Sequence, residues 1–255
     1  MARAKQEMVS FEDQMKDMAV KSAQNEIATG GAIISLRGGV LSFMGEPMPD
    51  NQLDAVILGS SGEHSYYDTP FDPDNITAPV CFSVFELDAN PVPHEVIQEP
   101  QGDFCKTCPM HQFKSAPNGR GRACSVRRRL ALLPASVLDS DDEDALGGAD
   151  IAIMKVPPTS VQSWGKYVNT VTAKFQRPPF MVVTRIKVKP HPKWQFTVEF
   201  DTTELIDKES FPTLMAMSEG IQGTLMAPFD MSGPEEKEEP EELKTTTRKK
   251  RTSRR

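Results

Sequence analysis

Four cysteines are the feature that most constrains how this 255-residue chain can fold. Cys105 and Cys108 form a CxxC knuckle, a spacing that lets two thiolates point at one tetrahedral metal ion. Cys124 follows after fifteen residues, within the usual span between two zinc half-sites. Cys81 stands alone at the start of an apolar run and supplies a fourth thiolate. The four cysteines therefore predict one structural Zn²⁺ ion, and a closed site of this kind leaves no position for catalysis.

Several other interpretations of the cysteines stay open. His111 and His94 compete with Cys81 as the fourth ligand. An iron–sulfur cluster also takes four thiolates, although nothing else in the sequence indicates electron transfer. A redox CxxC is disfavoured because the motif does not lie between a strand and a helix of a βαβ unit. The simplest alternative is that the four cysteines are buried free thiols and that the CxxC spacing arises by chance.

The sequence favours a reducing, intracellular compartment. No apolar run approaches the 18 residues of a transmembrane helix. The first residues, MARAKQEMVSFEDQ, lack the apolar segment of a signal peptide. In a reducing compartment, cysteines are expected to be metal ligands rather than disulfides.

The net charge of −7 hides strong local blocks of charge. Residues 105–135 contain seven bases and no acid, whereas residues 136–150 contain six acids and no base. The seven bases are Lys106, Lys114, Arg120, Arg122, Arg127, Arg128 and Arg129. Such a density of positive charge favours an anionic partner. The alternative is a solvated face balanced by the acidic loop at 139–144.

Glycines and aromatic residues interrupt this basic segment. Gly119 and Gly121 leave the backbone open to close approach. Phe104 and Phe113 place rings among the charges, as stacking on nucleobases requires. The segment between the cysteines is therefore predicted to contact nucleic acid.

A second basic line is predicted on a strand. Arg185, Lys187 and Lys189 alternate along one face and span about 13 Å at the rise of a strand. Such a line suits a single-stranded phosphate backbone, and the alternative is an ordinary solvated face. Tyr66 and Tyr67 lie in the segment before Cys81 and either stack on bases or cover a sheet edge.

The hydrophobic pattern predicts a mainly β, α+β fold with peripheral helices. An amphipathic helix is expected in residues 1–26, a β-rich domain in 27–232 and a disordered acidic-then-basic tail in 233–255. Strands are predicted at 32–36, 40–43, 53–58, 80–87, 127–133, 151–156, 181–189 and 194–200. A helix is predicted after Pro157, capped by Thr159 or Ser160 and with a buried apolar stripe. The segment HSYYDTPFDPDNITAP is predicted to be a long surface loop.

Several motifs together resemble a known family. They are SLRGGVLSFMG, SYYDTPFDPDNITAPVCFS, CKTCPMHQFKSAPNGRGRACSVRRRLALLP and VPPTSVQSWGKYVNTVTAKFQRPPFMVVTRI. They are similar to phage-encoded proteins that look like the single-stranded DNA-binding proteins of tailed phages. The resemblance covers roughly residues 27–205. It implies an OB-like β-barrel with a zinc-bearing loop insertion at 81–124. It also implies that five arginines lie on or beside the DNA groove: Arg120, Arg122, Arg127, Arg128 and Arg129.

The resulting prediction is a protein without catalytic activity that binds single-stranded DNA in phage replication or recombination, in the cytoplasm of a bacterial host. Many proteins of this kind end in an acidic tail that recruits replication or recombination proteins and competes with DNA. Here the acidic stretch 235–242 is followed by a basic end, with which it could pair instead. The alternative is a transcription or replication adaptor that binds a polymerase through its charged tail. A metal-dependent nuclease is a third interpretation.

Overall fold

The computed structural model describes residues 33–70, 77–87, 89–139, 146 and 149–229. The helix expected within residues 1–26 and the tail at 233–255 lie outside the described residues, as do residues 140–144 of the acidic loop. Within the described part, no helix is long and apolar enough to cross a membrane.

The described residues form a mainly β protein with one strongly curled sheet and few helices, which confirms the predicted class. The strands are β1 (Ile33–Ser35), β2 (Ser42–Phe43), β3 (Glu46–Pro47), β4 (Gln52–Tyr66), β5 (Cys81–Phe85), β6 (Ser125–Pro134), β7 (Ala152–Val156), β8 (Val182–His191) and β9 (Gln195–Leu205). The helices are α1 (Val161–Phe175), α2 (Phe211–Gly220) and α3 (Gln222–Leu225). The strand order is β3-β2-β1-β7-β6-β4-β8-β9, and β5 also pairs with β4. The pairing of β1 with β7 is parallel, and the other pairings are antiparallel.

Strand β4 is the central strand of the sheet. It pairs with β8 at its beginning, with β5 at its end and with β6 over most of its length. A bulge between Ile57 and Gly59 shifts its register against β6. The sequence predicts a strand that ends at residue 58 and a loop that starts at His64, and that prediction is wrong because β4 continues to Tyr66.

The error has a physical cause in the segment GSSG. Small residues at 59–62 are typical of a turn, yet here they lie in the middle of a sheet. A Cβ at Gly62 would run into the Phe85 ring of β5, and a Cβ at Gly59 would lie 2.9 Å from a methyl group of Leu225. The glycines therefore make room for neighbouring side chains, a use that the sequence alone does not separate from a turn.

Two apolar layers cover the two faces of the sheet. Helix α1 packs on one face and buries Trp164 and Val171, which belong to the predicted apolar stripe, together with Tyr167, which the predicted stripe does not include. Helices α2 and α3 cover the other face through Leu214 and Leu225. The sheet is therefore sandwiched over its central strands.

Ser160 occupies the N-cap position of α1, one of the two predicted cap residues. Its hydroxyl makes no hydrogen bond to the helix. It accepts instead a 2.8 Å hydrogen bond from the backbone N–H of Val198 in β9. The predicted cap residue thus ties the start of the helix to the sheet.

Asn51 connects the N-terminal turns to the sheet just before β4. Its side-chain oxygen accepts from the backbone N–H of Leu41 at 2.6 Å. Its side-chain nitrogen donates to the carbonyls of Gly39 at 2.7 Å and Val188 at 3.2 Å. Its own φ is +57°, a conformation that asparagine tolerates better than most residues.

Candidate metal centre and nucleic-acid interface

The candidate metal centre forms at the edge of the sheet where β4 ends and where β5 and β6 begin. Cys81 pairs with Tyr66 across the β5–β4 ladder. On the other side of β4, Ser65 pairs with Ser125, so the next residue outward, Cys124, lies across from Tyr66. Side chains alternate along strands, and therefore His64 lies on the same face as Tyr66 and both cysteines. Sheet pairing thus brings together two cysteines that are 43 residues apart.

All four predicted zinc ligands line one small cavity on this face. Its volume is about 20 Å³, which is room for a single water-sized sphere. Its walls are His64, Tyr66, Cys81, Phe82, Pro93, Gln101, Gly102, Cys105, Cys108, Met110, His111 and Cys124. The four thiols are buried and form no disulfide. His94, one of the alternative ligands, does not line this cavity; its ring stacks on Phe82.

Backbone hydrogen bonds hold the CxxC segment over the sheet face. The N–H of Cys105 donates to the Pro91 carbonyl at 3.1 Å, and the N–H of Cys124 donates to the Met110 carbonyl at 2.8 Å. The turn Pro109–His111 brings the His111 ring to 4.5 Å from the His64 ring, between centroids. Both imidazoles have a buried Nδ1 with no hydrogen-bond partner among the described residues. The cavity therefore joins four sulfur atoms and two imidazoles.

The electrostatics of the cavity disfavour bare thiolates. Burial raises the pKa of Cys124 to about 12, and the neighbouring thiols of Cys105, Cys108 and Cys81 add to the rise. Burial likewise raises the pKa of Cys105. Without a cation, the thiols of Cys105 and Cys124 are protonated and therefore neutral at pH 7. A divalent ion would favour the thiolate forms, because its positive charge offsets the cost of burying them as well as the smaller repulsion among them.

The thiols share the cavity without converging on one point. Across residues 33–70, 77–87, 89–139, 146 and 149–229, no three His, Cys, Asp or Glu side chains are arranged as a bound metal ion would require. The shared cavity wall and the mutual effects on pKa nevertheless place the four sulfurs close together. The two observations agree if the side chains rotate to close the set on an ion. The composition of the set, four soft sulfur donors, fits Zn²⁺.

The loop that carries the CxxC motif also exposes the basic residues that the sequence singles out. We call residues 104–122 the basic loop. Its bases are all exposed and none forms an ion pair within the described residues: Lys106, Lys114, Arg120 and Arg122. Phe104 is 52% exposed and Phe113 is 71% exposed. The loop therefore presents four cations and two rings to solvent.

The three consecutive arginines of β6 do not act as one group. Alternation puts Arg128 on the face of His64, where its charge helps burial and His111 to lower the His64 pKa to about 4. Arg127 and Arg129 lie on the opposite face. Arg127 and Arg128 are half-buried, whereas Arg129 is only 4% exposed. The predicted cluster of five arginines beside a groove is thus divided between two faces.

Arg129 belongs to a buried ionic cluster that the sequence patterns do not reveal. Its Nε lies 2.6 Å from Oε2 of Glu63, a residue with no exposed surface. Lys155 approaches the same oxygen at 3.3 Å. The guanidinium also donates to the carbonyls of Leu225 and Ala227. Arg129 therefore presents no charge to a ligand. The sequence signal of this pair is an acid within a run of small and polar residues, GSSGEHS at 59–65.

Phe229 closes the cluster from the C-terminal side. Its ring centroid lies 4.0 Å from the Lys155 ammonium and 5.2 Å from the Arg129 guanidinium. The same ring contacts Phe82 of β5 edge-on, at 4.9 Å between centroids. Burial lowers the pKa of Lys155, and the Glu63 carboxylate partly offsets that effect. The segment after α3 is thereby fixed to the sheet.

The second predicted basic line, on β8, has acidic partners. Arg185 makes two hydrogen bonds to Asp54, of 2.8 and 2.7 Å. Lys189 lies 2.5 Å from Glu199, which is also the cross-strand partner of Lys187. The three bases therefore face carboxylates on the neighbouring strands, as on an ordinary solvated sheet face. This arrangement does not favour a phosphate backbone.

The two predicted stacking tyrosines differ in environment. Tyr66 is the last residue of β4 and lines the thiol cavity, so it covers the cysteines. Tyr67 follows it and is partly exposed. Burial raises the pKa of Tyr67, and the nearby Arg127 acts in the opposite direction. Only Tyr67 is accessible to a base.

Comparison with known proteins adds no assignment. No protein-family model matches the sequence, and neither a curated protein nor a solved structure matches it.

Proposed function

We propose that this protein binds single-stranded DNA without sequence preference through the basic loop, and that it carries out no catalysis. The observation that carries the proposal is the surface of that loop. Four exposed cations without acidic partners among the described residues stand beside two exposed phenylalanine rings. Cations bind the phosphate backbone and rings stack on bases of any identity. The duplex keeps its bases stacked inside, so the rings favour a single strand.

The proposal includes a structural Zn²⁺ ion held by the thiols of Cys81, Cys105, Cys108 and Cys124. Cys81 begins β5, Cys124 immediately precedes β6, and Cys105 and Cys108 lie in the basic loop, so the ion would fasten the loop to the end of β4. Bound there, the ion supplies charge compensation and four fixed bonds. His111 is the alternative donor, since its ring lines the same cavity.

The architecture proposed for this function is an OB-like barrel with the zinc-bearing loop inserted between β5 and β6. The curled sheet supports it, because closure of antiparallel strands into a barrel requires strong curvature. A role in phage DNA replication or recombination, inside a bacterial host, belongs to the same proposal and rests on the motif resemblance.

The binding test compares labelled oligo-dT with a duplex of equal length by fluorescence anisotropy. Oligo-dT should bind more tightly, and the affinity should fall steeply with salt. The variant Lys114→Ala/Arg120→Ala/Arg122→Ala should flatten the slope of log K against log salt by about 0.7 for each phosphate that the variant no longer neutralises. The control Lys187→Ala/Lys189→Ala removes bases that face carboxylates and should leave the slope unchanged.

Two results would overturn the proposal. One is equal affinity for single strand and duplex, and the other is no binding of oligo-dT even at low salt. Cleavage of the oligonucleotide in the presence of Mg²⁺ or Mn²⁺ would instead support a nuclease. Metal content, measured with the protein concentration, should give one zinc per chain. A ratio near zero in protein purified without chelators would remove the metal from the proposal.

A further inference from the structure

The hairpin between β8 and β9 carries an exposed tryptophan that is held in a fixed orientation. Trp194 is 52% exposed. Its indole stacks on the His191 ring, with 4.3 Å between centroids and 11° between planes. The backbone N–H of Lys193 donates to Nδ1 of His191 at 3.2 Å and so orients that ring. The alternating pattern of β9 predicts Trp194 on the face of Phe196, but the strand begins only at Gln195.

The backbone around the tryptophan is constrained as well. The N–H of Phe196 donates to the Trp194 carbonyl at 2.6 Å. Gln195 between them has φ of +65°, in the left-handed region that most residues avoid. Strained backbone of this kind persists where surrounding contacts determine it, often at binding sites. The indole is thus ordered before any ligand arrives.

Positive charge lies next to this ring. Lys193 is its exposed neighbour in the chain. The turn Arg37–Gly39 packs against β8 and β9, and a Cβ at Gly39 would lie 3.4 Å from Phe196. Arg37 in that turn is exposed. An ordered aromatic plane with cations beside it suits a nucleobase that is followed by its phosphate.

We propose that Trp194 is a second nucleic-acid contact, on which one nucleobase stacks while Lys193 binds the adjoining phosphate. The proposal rests on the proposed function, but it concerns a different place on the molecule. Lys187 of β8 pairs with Gln52, the first residue of β4, whereas the basic loop covers Tyr66, the last one. Fourteen residue steps along β4 correspond to about 46 Å of strand. The two contacts therefore lie at opposite ends of the central strand.

The chain contains two tryptophans, and this makes the test direct. Trp164 belongs to α1, and its side chain is buried in the core with 4% of its surface exposed. Trp194 is therefore the tryptophan that a ligand can reach. Addition of unlabelled oligo-dT should quench the emission of Trp194. In Trp194→Phe the remaining emission, from Trp164, should not change on addition of DNA. The phenylalanine ring still stacks, so the affinity of this variant should stay near that of the wild type.

Trp194→Ala removes the ring altogether. Its affinity for labelled oligo-dT should fall about 5- to 150-fold, which corresponds to the ~1–3 kcal/mol of one stacked base. Circular dichroism checks that the variant is folded. Binding of oligo-dT in anisotropy without any quenching, together with unchanged affinity of Trp194→Ala, would refute this contact and leave the proposed function standing. Failure of the wild type to bind oligo-dT in anisotropy would refute both.

Discussion

Removal of Arg129 tests whether the buried ionic cluster stabilises the fold. Arg129→Met keeps an unbranched side chain of similar length, but it removes the 2.6 Å partner of the Glu63 carboxylate and leaves only the more exposed Lys155, at 3.3 Å, as a charged partner among the described residues. Within the described part of the chain, Oε1 of Glu63 has no hydrogen bond, so the loss falls on a group that burial desolvates completely. Breaking a buried pair by removing one partner costs about 3–5 kcal/mol. The carbonyls of Leu225 and Ala227 lose their donor at the same time.

The assay is urea unfolding followed by circular dichroism, with the denaturant slope as a check on the unfolding model. A loss of about 3–5 kcal/mol is a large part of the 5–15 kcal/mol that typically stabilises a domain, so the midpoint should fall markedly. Glu63→Gln/Arg129→Met removes both charges and should be more stable than Arg129→Met alone. Lys189→Met breaks an exposed ion pair, and its unfolding midpoint in urea should be close to that of the wild type. A loss below about 1 kcal/mol for Arg129→Met, or a double variant no more stable than the single one, would contradict the reasoning.

Three further predictions concern other parts of the molecule. Gly62→Ala should lower the free energy of unfolding by about 1–3 kcal/mol in urea titrations, since the new methyl group runs into the Phe85 ring, and a wild-type midpoint would contradict this. Asn51→Ala should destabilise by about 1–3 kcal/mol in the same assay because it leaves part-buried groups of Leu41, Gly39 and Val188 unpaired, and Asn51→Asp should restore only the bond from the Leu41 N–H. The four cysteines should react slowly with Ellman's reagent and much faster after chelation, with zinc released in step; equal rates before and after would argue against a bound ion.

The sequence predicts most of the regular elements because their patterns are local. The apolar stripe of α1 indicates both its helix and its buried face, and Trp164 and Val171 occupy the expected positions. The strands β6, β7, β8 and β9 follow from β-branched runs bounded by turn residues. The second half of β4 does not, since its small residues are chosen for neighbours that come from β5 and α3.

The candidate site is predictable in composition rather than in detail. The CxxC spacing and the run of bases identify the right segment. The pairing of Cys81 and Cys124 across Tyr66 depends on long-range register, which spacing alone does not fix. Whether Arg129 is buried or available to a ligand depends on its ion pair with Glu63, which lies 66 residues earlier in the chain. An isolated sequence pattern treats Arg127, Arg128 and Arg129 as equal, whereas strand alternation and one buried acid make them different.

The bulge in β4 determines which side chains lie on each face of the sheet near the end of that strand. Ile57 pairs with Leu132 and Gly59 pairs with Ala131, so Leu58 is an extra residue without a partner in β6. If the ladder ran through Leu58 without a bulge, every later residue of β4 would lie on the opposite face of the sheet. Glu63 would then point toward the cysteines and His64 toward Arg129. The extra residue in β4 thus keeps a carboxylate away from four thiols, and it separates the candidate metal centre from the buried ionic cluster.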